Sequence, residues 1–196
     1  MHTMDQIEAK VVMLGTSNVG KTTIINRTLN GIYDHNINPT LGANYSTKNI
    51  TVYKDEVRLQ IWDTAGEEKY RSLVPMFFQG SHAAIFVYSI NDRKSFEELD
   101  YFIKCICEHS KSSLVKLVVG NKVDLENQRQ VQTFEAKQFA HDIEAQFIEV
   151  SALTGSCIEK LFYEVAKSIY DVYNQGEKFE DSISIEKSID SPNYCC

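Results

Sequence analysis

Residues 15–22 read GTSNVGKT, and these eight positions constrain the chain more than any other stretch. They satisfy the pattern G-x-x-x-x-G-K-[ST], a turn that points consecutive backbone N–H groups inward around phosphate oxygens. The pattern needs a buried strand before it and a helix after it. Both are present: Lys10–Leu14 (KVVML) is the apolar, β-branched run of a strand buried in a parallel sheet, and Thr22–Leu29 reads as a helix. That helix adds its unpaired first-turn amides and the positive end of its dipole. Gly15, Ser17, Asn18, Val19 and Gly20 are the candidate cradle. Lys21 supplies a point charge for β and γ phosphates, and the Thr22 hydroxyl is a hard ligand suited to Mg²⁺. Thr23 is counted with this set, although one position past Thr22 it reads as no more than a helix residue.

Strand and helix patterns alternate along the rest of the chain. Tyr45–Tyr53, Val57–Trp62, Ala83–Ser89, Leu114–Gly120 and Gln146–Val150 read as strands; about Lys94–His109, Thr133–Asp142 and Ser156–Tyr173 read as helices. In the last helix Ile158, Leu161, Phe162, Val165 and Ile169 share one stripe, with Ser156 and Glu159 as a capping box. Alternation of this kind implies a mostly parallel sheet covered on both faces. Val57 follows Tyr53 too closely for a crossover helix, so those two strands should pair antiparallel. Ligands of such sheets sit at the carboxyl ends of the strands, where the motifs lie.

Composition removes several classes of function. A net charge of −7 argues against a nucleic-acid partner. No apolar run approaches the ~18–20 residues of a membrane-spanning helix, and the opening MHTMDQIEAK lacks signal-peptide features. Synthesis in the cytosol is expected, and five Cys, an odd count, make a disulfide framework unlikely there. Cys105 and Cys107 read as buried or half-buried thiols, and the five His show no ligand spacing.

Three further motifs follow strands. Asp63-Thr64-Ala65-Gly66 offers a carboxylate for Mg²⁺ and, at Gly66, a backbone N–H free to approach a γ phosphate. Asn121-Lys122-Val123-Asp124 offers a carboxylate that can accept from both the N1–H and the exocyclic amine of guanine, an arrangement adenine lacks. Sites that pair such groups discriminate by ~10⁴–10⁵. Ser151-Ala152-Leu153 can present a backbone N–H to the guanine O6.

With these motifs in order, the chain resembles a Ras-superfamily small GTPase over residues 8–173. Within that superfamily LGANY (41–45), RLQIW (58–62), KYRSL (69–73), FFQGS (77–81) and FVYSIN (86–91) resemble the motifs of Rab proteins, several as imperfect copies. The resemblance implies a P-loop NTPase three-layer sandwich, with a six-stranded, mostly parallel sheet, one antiparallel strand and five flanking helices. It implies a GTP-hydrolysing switch in vesicle traffic that uses Mg²⁺. Partners would be an exchange factor, a GTPase-activating protein, a GDP-dissociation inhibitor and effectors, and the chain would be a monomer. Thr40 would hold Mg²⁺ and the γ phosphate only in the GTP state, and Gly66 would sense the same phosphate. Thr22, Thr40 and Asp63 form the implied metal set, and Glu67, Lys21, Thr40 and Gly66 the catalytic set. Tyr45, Trp62 and Phe77 align with an effector-binding aromatic triad, core packing being the other account of them.

The departures are instructive. Glu67 stands where most members of the family carry a Gln that orients the attacking water. An ionised carboxylate cannot donate there, so intrinsic hydrolysis is expected to be slow, down by on the order of 10²-fold; a GTP-locked membrane adaptor is the alternative. Asn18 replaces a Gly, and Leu153 replaces the Lys of S-A-K. A P-loop kinase would need an Arg-bearing lid, and none of the five Arg lies in such an insertion. Residues 1–7 are expected to be a flexible N-terminus and 174–196 a disordered tail. The final Cys195 and Cys196 resemble the doubly prenylated end of Rab proteins. Five acidic residues against two Lys give the tail a charge of 2 − 5 = −3. Anionic lipid therefore does not help a single lipid chain hold it, so both thiols are expected to be modified for attachment to the cytoplasmic face of an intracellular membrane.

Overall fold

The computed structural model describes residues 7–33, 40, 42–66, 74–109 and 114–175. Glu67, the KYRSL run, Cys195 and Cys196 lie outside the described residues. Six strands form one sheet: β1 (Ile7–Leu14), β2 (Ala43–Val52), β3 (Asp55–Thr64), β4 (Ala83–Ser89), β5 (Val115–Asn121) and β6 (Gln146–Glu149). Their order is β2-β3-β1-β4-β5-β6. β2 runs antiparallel to β3, in register from Ala43↔Thr64 to Val52↔Asp55, and the remaining neighbours are parallel.

Successive side chains of a strand point to opposite faces, and the two faces carry two cores. Val11 and Met13 face α1 (Lys21–Asn30) and α6 (Ile158–Asn174), packing with Ile24, Leu161, Phe162, Val165 and Ile169. Val12 and Leu14 face the other way, with Phe86, Tyr88, Phe96, Leu99, Phe102 and Ile106. Every residue of β4 is buried, as expected for a central strand covered on both sides. The remaining α-helices are α2 (Val74–Phe78), α3 (Arg93–Glu97), α4 (Leu99–His109) and α5 (Thr133–Asp142). On α5, Ala136 and Ala140 are small enough to lie flat against the second core.

Two local expectations are corrected. The single helix expected over Lys94–His109 is split at Glu98. The Glu98 N–H bonds to Lys94 O at 3.0 Å, and the Tyr101 N–H then bonds to Glu98 O at 3.2 Å, a tighter three-residue step. That step lets Phe96, Leu99, Phe102 and Ile106 all reach the second core. The capping box at Ser156 and Glu159 does not form. Cys157, at φ 59, is the residue before α6, and no side chain caps the helix. Glu159 instead accepts from Lys48 Nζ at 3.0 Å and from Thr28 Oγ1 at 3.3 Å. A cationic donor outcompetes a backbone amide for that carboxylate. β1 begins at Ile7 and α6 ends at Asn174. Among the described residues no helix is long and apolar enough to cross a membrane.

Candidate functional site

The loop between β1 and α1 turns through three residues at positive φ, Gly15 at 148, Asn18 at 63 and Gly20 at 95. A Cβ on Gly20 would run into the Asn121 side-chain amide, so the loop lies directly against the end of β5. Asn18 occupies its turn without glycine because Asn is among the few residues that tolerate this region. Lys21 is buried, and its ammonium donates to Gly15 O at 2.8 Å and Thr16 O at 2.9 Å. That leaves one of its three donors. Burial pushes the Lys21 pKa down to about 8, against the opposing pull of Asp63.

Thr22, Thr40 and Asp63 come together although they are far apart in sequence. Thr22 Oγ1 donates to Asp63 Oδ2 at 2.6 Å, Thr40 Oγ1 donates to the same oxygen at 3.2 Å, and the two hydroxyls lie 2.9 Å apart. Asp63 Oδ1 is buried and has no hydrogen-bond partner among the described residues. Burial holds the Asp63 pKa above the usual carboxylate range despite Thr22, Lys21 and Thr40. Two hydroxyls and a carboxylate with an orphaned oxygen are hard donors that fit Mg²⁺. Just beyond, Thr64 Oγ1 donates to Met13 O at 2.7 Å and pins the end of β3 to β1. Gly66 approaches so closely that a Cβ there would fall on backbone atoms of Thr16 and Ser17.

On the other side of the phosphate loop, Asn121 joins three segments. Its Nδ2 donates to Val19 O at 2.8 Å and its Oδ1 accepts from the Ala152 N–H at 3.2 Å. Ser151 Oγ donates to Asp124 Oδ1 at 2.5 Å and accepts from the Thr154 N–H at 3.0 Å. One carboxylate oxygen of Asp124 is thus oriented from below while the residue stays exposed. Lys122 is half-buried at φ 68; burial lowers its pKa, and Asp92 and Asp124 oppose that. Leu153 is 44% exposed at the rim.

The aromatic trio is graded in exposure. Tyr45 is 51% exposed and meets Trp62 edge-on at 5.5 Å across the β2–β3 pair. Trp62 and Phe77 are half-buried against the second core, and the Lys10 ammonium lies 5.0 Å over the Trp62 ring. Two arginines that no motif marked also reach these loops. Arg27 Nη2 donates to Thr154 O at 3.1 Å, and Arg129 ties Glu126 to Glu149. Their signal is contact between elements, which spacing along a chain does not carry.

The chain is also similar to known proteins. The Ras family model matches residues 10–171. The chain is 38% identical over 192 residues to human Ras-related protein Rab-31, covering 96% of this chain and 97% of that one. It is 40% identical over 162 residues to mouse Ras-related protein Rab-22A, covering 83% and 84%. It is 29% identical over 194 residues to Ras-related protein RabC of Dictyostelium discoideum, covering 98% and 99%.

Proposed function

This chain belongs to the Ras family and within it is a Rab small GTPase, and on that premise we propose that it regulates intracellular vesicle traffic as a GTP/GDP switch held on a membrane by prenylated Cys195 and Cys196. The observation that carries the reading is the convergence of three loops through Asn121, which bonds Val19 O and the Ala152 N–H at once. A ligand seated there would meet the phosphate loop, the Asp63 cluster and Asp124 together.

Each residue then has a task. Backbone N–H groups of the Gly15–Gly20 loop hold the phosphates, and Lys21 keeps its charge beside them. Asp63 with the hydroxyls of Thr22 and Thr40 would hold Mg²⁺, which when bound neutralises charge between the β and γ phosphates. Gly66 and Thr40 respond to the γ phosphate, and its loss releases the segments around them. Asp124 accepts from the guanine N1–H and amine, the Ala152 N–H turns from Asn121 to O6, and Ser17, Asn18, Thr23, Lys122 and Leu153 border the ligand. Glu67 slows intrinsic hydrolysis because an ionised carboxylate cannot donate to the attacking water, which leaves turnover to an activating protein. Effectors read Tyr45, Trp62 and Phe77 in the GTP state.

Calorimetry of nucleotide-stripped protein with Mg²⁺ tests the core of this. GDP should bind and ADP should not; no heat with GDP, or equal heat with both, overturns it. Glu67 motivates a second reading, an adaptor locked in its GTP state. Purified protein carrying GDP supports the cycling switch, and protein carrying GTP supports the adaptor.

A further inference from the structure

Base recognition requires a carboxylate held to within roughly 0.5 Å, and Asp124 sits in a turn held by hydrogen bonds rather than by packing: the Val123 N–H donates to Val150 O at 3.2 Å, and Ser151 Oγ donates to Asp124 Oδ1. The 3₁₀ turn Val123–Gln128 contains no buried residue and is kinked at Leu125 (φ −96, ψ 34). Val123, half-buried, is the residue of the turn that packs against the second core. Apolar packing therefore does little to fix the direction of the Asp124 side chain.

Arg129 directly follows the turn region, and its side chain is only 9% exposed. Nε and Nη2 donate back into the turn, to Glu126, at 2.8 and 2.7 Å. Nη1 and Nη2 donate forward to Glu149 at 2.6 and 3.2 Å. Nη1 also donates to Val131 O at 3.0 Å, and Thr133 Oγ1 donates to Glu149 at 3.1 Å. Glu149 ends β6 two residues before Ser151, whose hydroxyl donates to Asp124. The contacts close a ring: the turn, Arg129, the end of β6, Ser151 and back to Asp124. A planar guanidinium engaging two carboxylates fixes orientation as well as distance, which a lysine does not.

We propose that Arg129 is a positioning residue for guanine selectivity, holding the Asp124 turn in register with the Ser151 loop through Glu126 and Glu149. The proposal rests on the nucleotide reading above, and its test keeps the two failures apart. The probes are GDP and inosine diphosphate, which lacks the exocyclic amine that Asp124 would accept from. Loss of one hydrogen bond to a charged group corresponds to roughly tenfold or more in Kd, and this ratio between the two ligands reports the placement of Asp124.

Glu126→Ala cuts the turn from the clamp, and Glu126 is 63% exposed, so folding is spared. The Kd ratio of inosine diphosphate to GDP should fall about 3- to 10-fold, with Tm unchanged. The double variant Arg129→Met/Glu149→Leu, which removes both largely buried charged side chains, should lose selectivity to the same degree. Arg129→Lys should fall between wild type and Glu126→Ala. If both ligands weaken in proportion, or the ratio holds in all three variants, Arg129 is a structural residue and the proposal is wrong. Wild-type protein that fails to prefer GDP over ADP removes the guanine site itself before any variant is compared.

Discussion

Lys21 should make the ligand-free protein more stable as the solution becomes alkaline. Its ammonium is buried on two backbone carbonyls, with a folded pKa of about 8 against an ordinary value of 10.5. A lysine depressed in the folded state binds fewer protons there than in the unfolded chain, so stability rises with pH between those two values. The gap is 10.5 − 8 = 2.5; at about 1.36 kcal/mol per pKa unit it amounts to at most ~3 kcal/mol. For a chain of this size that is a Tm gain of roughly 6–12 °C. The assay is differential scanning calorimetry of nucleotide-stripped protein in EDTA, from pH 7.5 to 10.5, beside Lys21→Met. Other lysines and the tyrosines titrate in the same range, so the difference between the two profiles is the quantity to read. Wild type should climb more steeply, and GDP with Mg²⁺ should abolish the excess slope by restoring the charge. Parallel profiles for the two proteins would refute the reasoning.

Asp63→Asn should stabilise the stripped protein by about 1–3 kcal/mol, because a neutral amide avoids burying a charged oxygen without a partner. The same change should remove most of the Mg²⁺ dependence of GDP affinity, read by calorimetry with and without the metal. The buried Tyr88 hydroxyl has no hydrogen-bond partner among the described residues, so Tyr88→Phe should leave Tm equal or higher. A Cβ on Gly120 would meet that hydroxyl at 2.7 Å, so Gly120→Ala should cost about 1–3 kcal/mol in thermal unfolding and be partly rescued by Tyr88→Phe. Single-turnover GTP hydrolysis should be faster in Glu67→Gln than in wild type; equal rates would end the argument from the missing donor.

The sequence made the sheet legible because each buried strand carries its own apolar run and each motif sits at a strand end. Ala83–Ser89 and Thr133–Asp142 appear with the limits read from the sequence. The capping box failed for a reason no local pattern contains: Lys48, more than a hundred residues earlier, takes the Glu159 carboxylate. The break at Glu98 was hidden because residues on either side of it have good helical spacing, and only the shape of the sheet decides how the stripe must rotate. In the candidate site, Thr22, Asn121 and Asp124 were readable from motifs, since a loop suited to a ligand must carry the right atoms in order. Arg27 and Arg129 support those loops from outside, and a supporting contact leaves no spacing to find.

The strand order has a consequence for how such a molecule can work. Thr40, Asp63 and Gly66 belong to the β2–β3 edge of the sheet, whereas Asn121, Asp124 and Ser151 belong to the β5–β6 edge, with β1 and its loop between them. The half that would notice a missing terminal phosphate is not the half that would grip the base. Such a protein can therefore change its outward shape while its small molecule stays in place, so signalling state and occupancy need not be lost together.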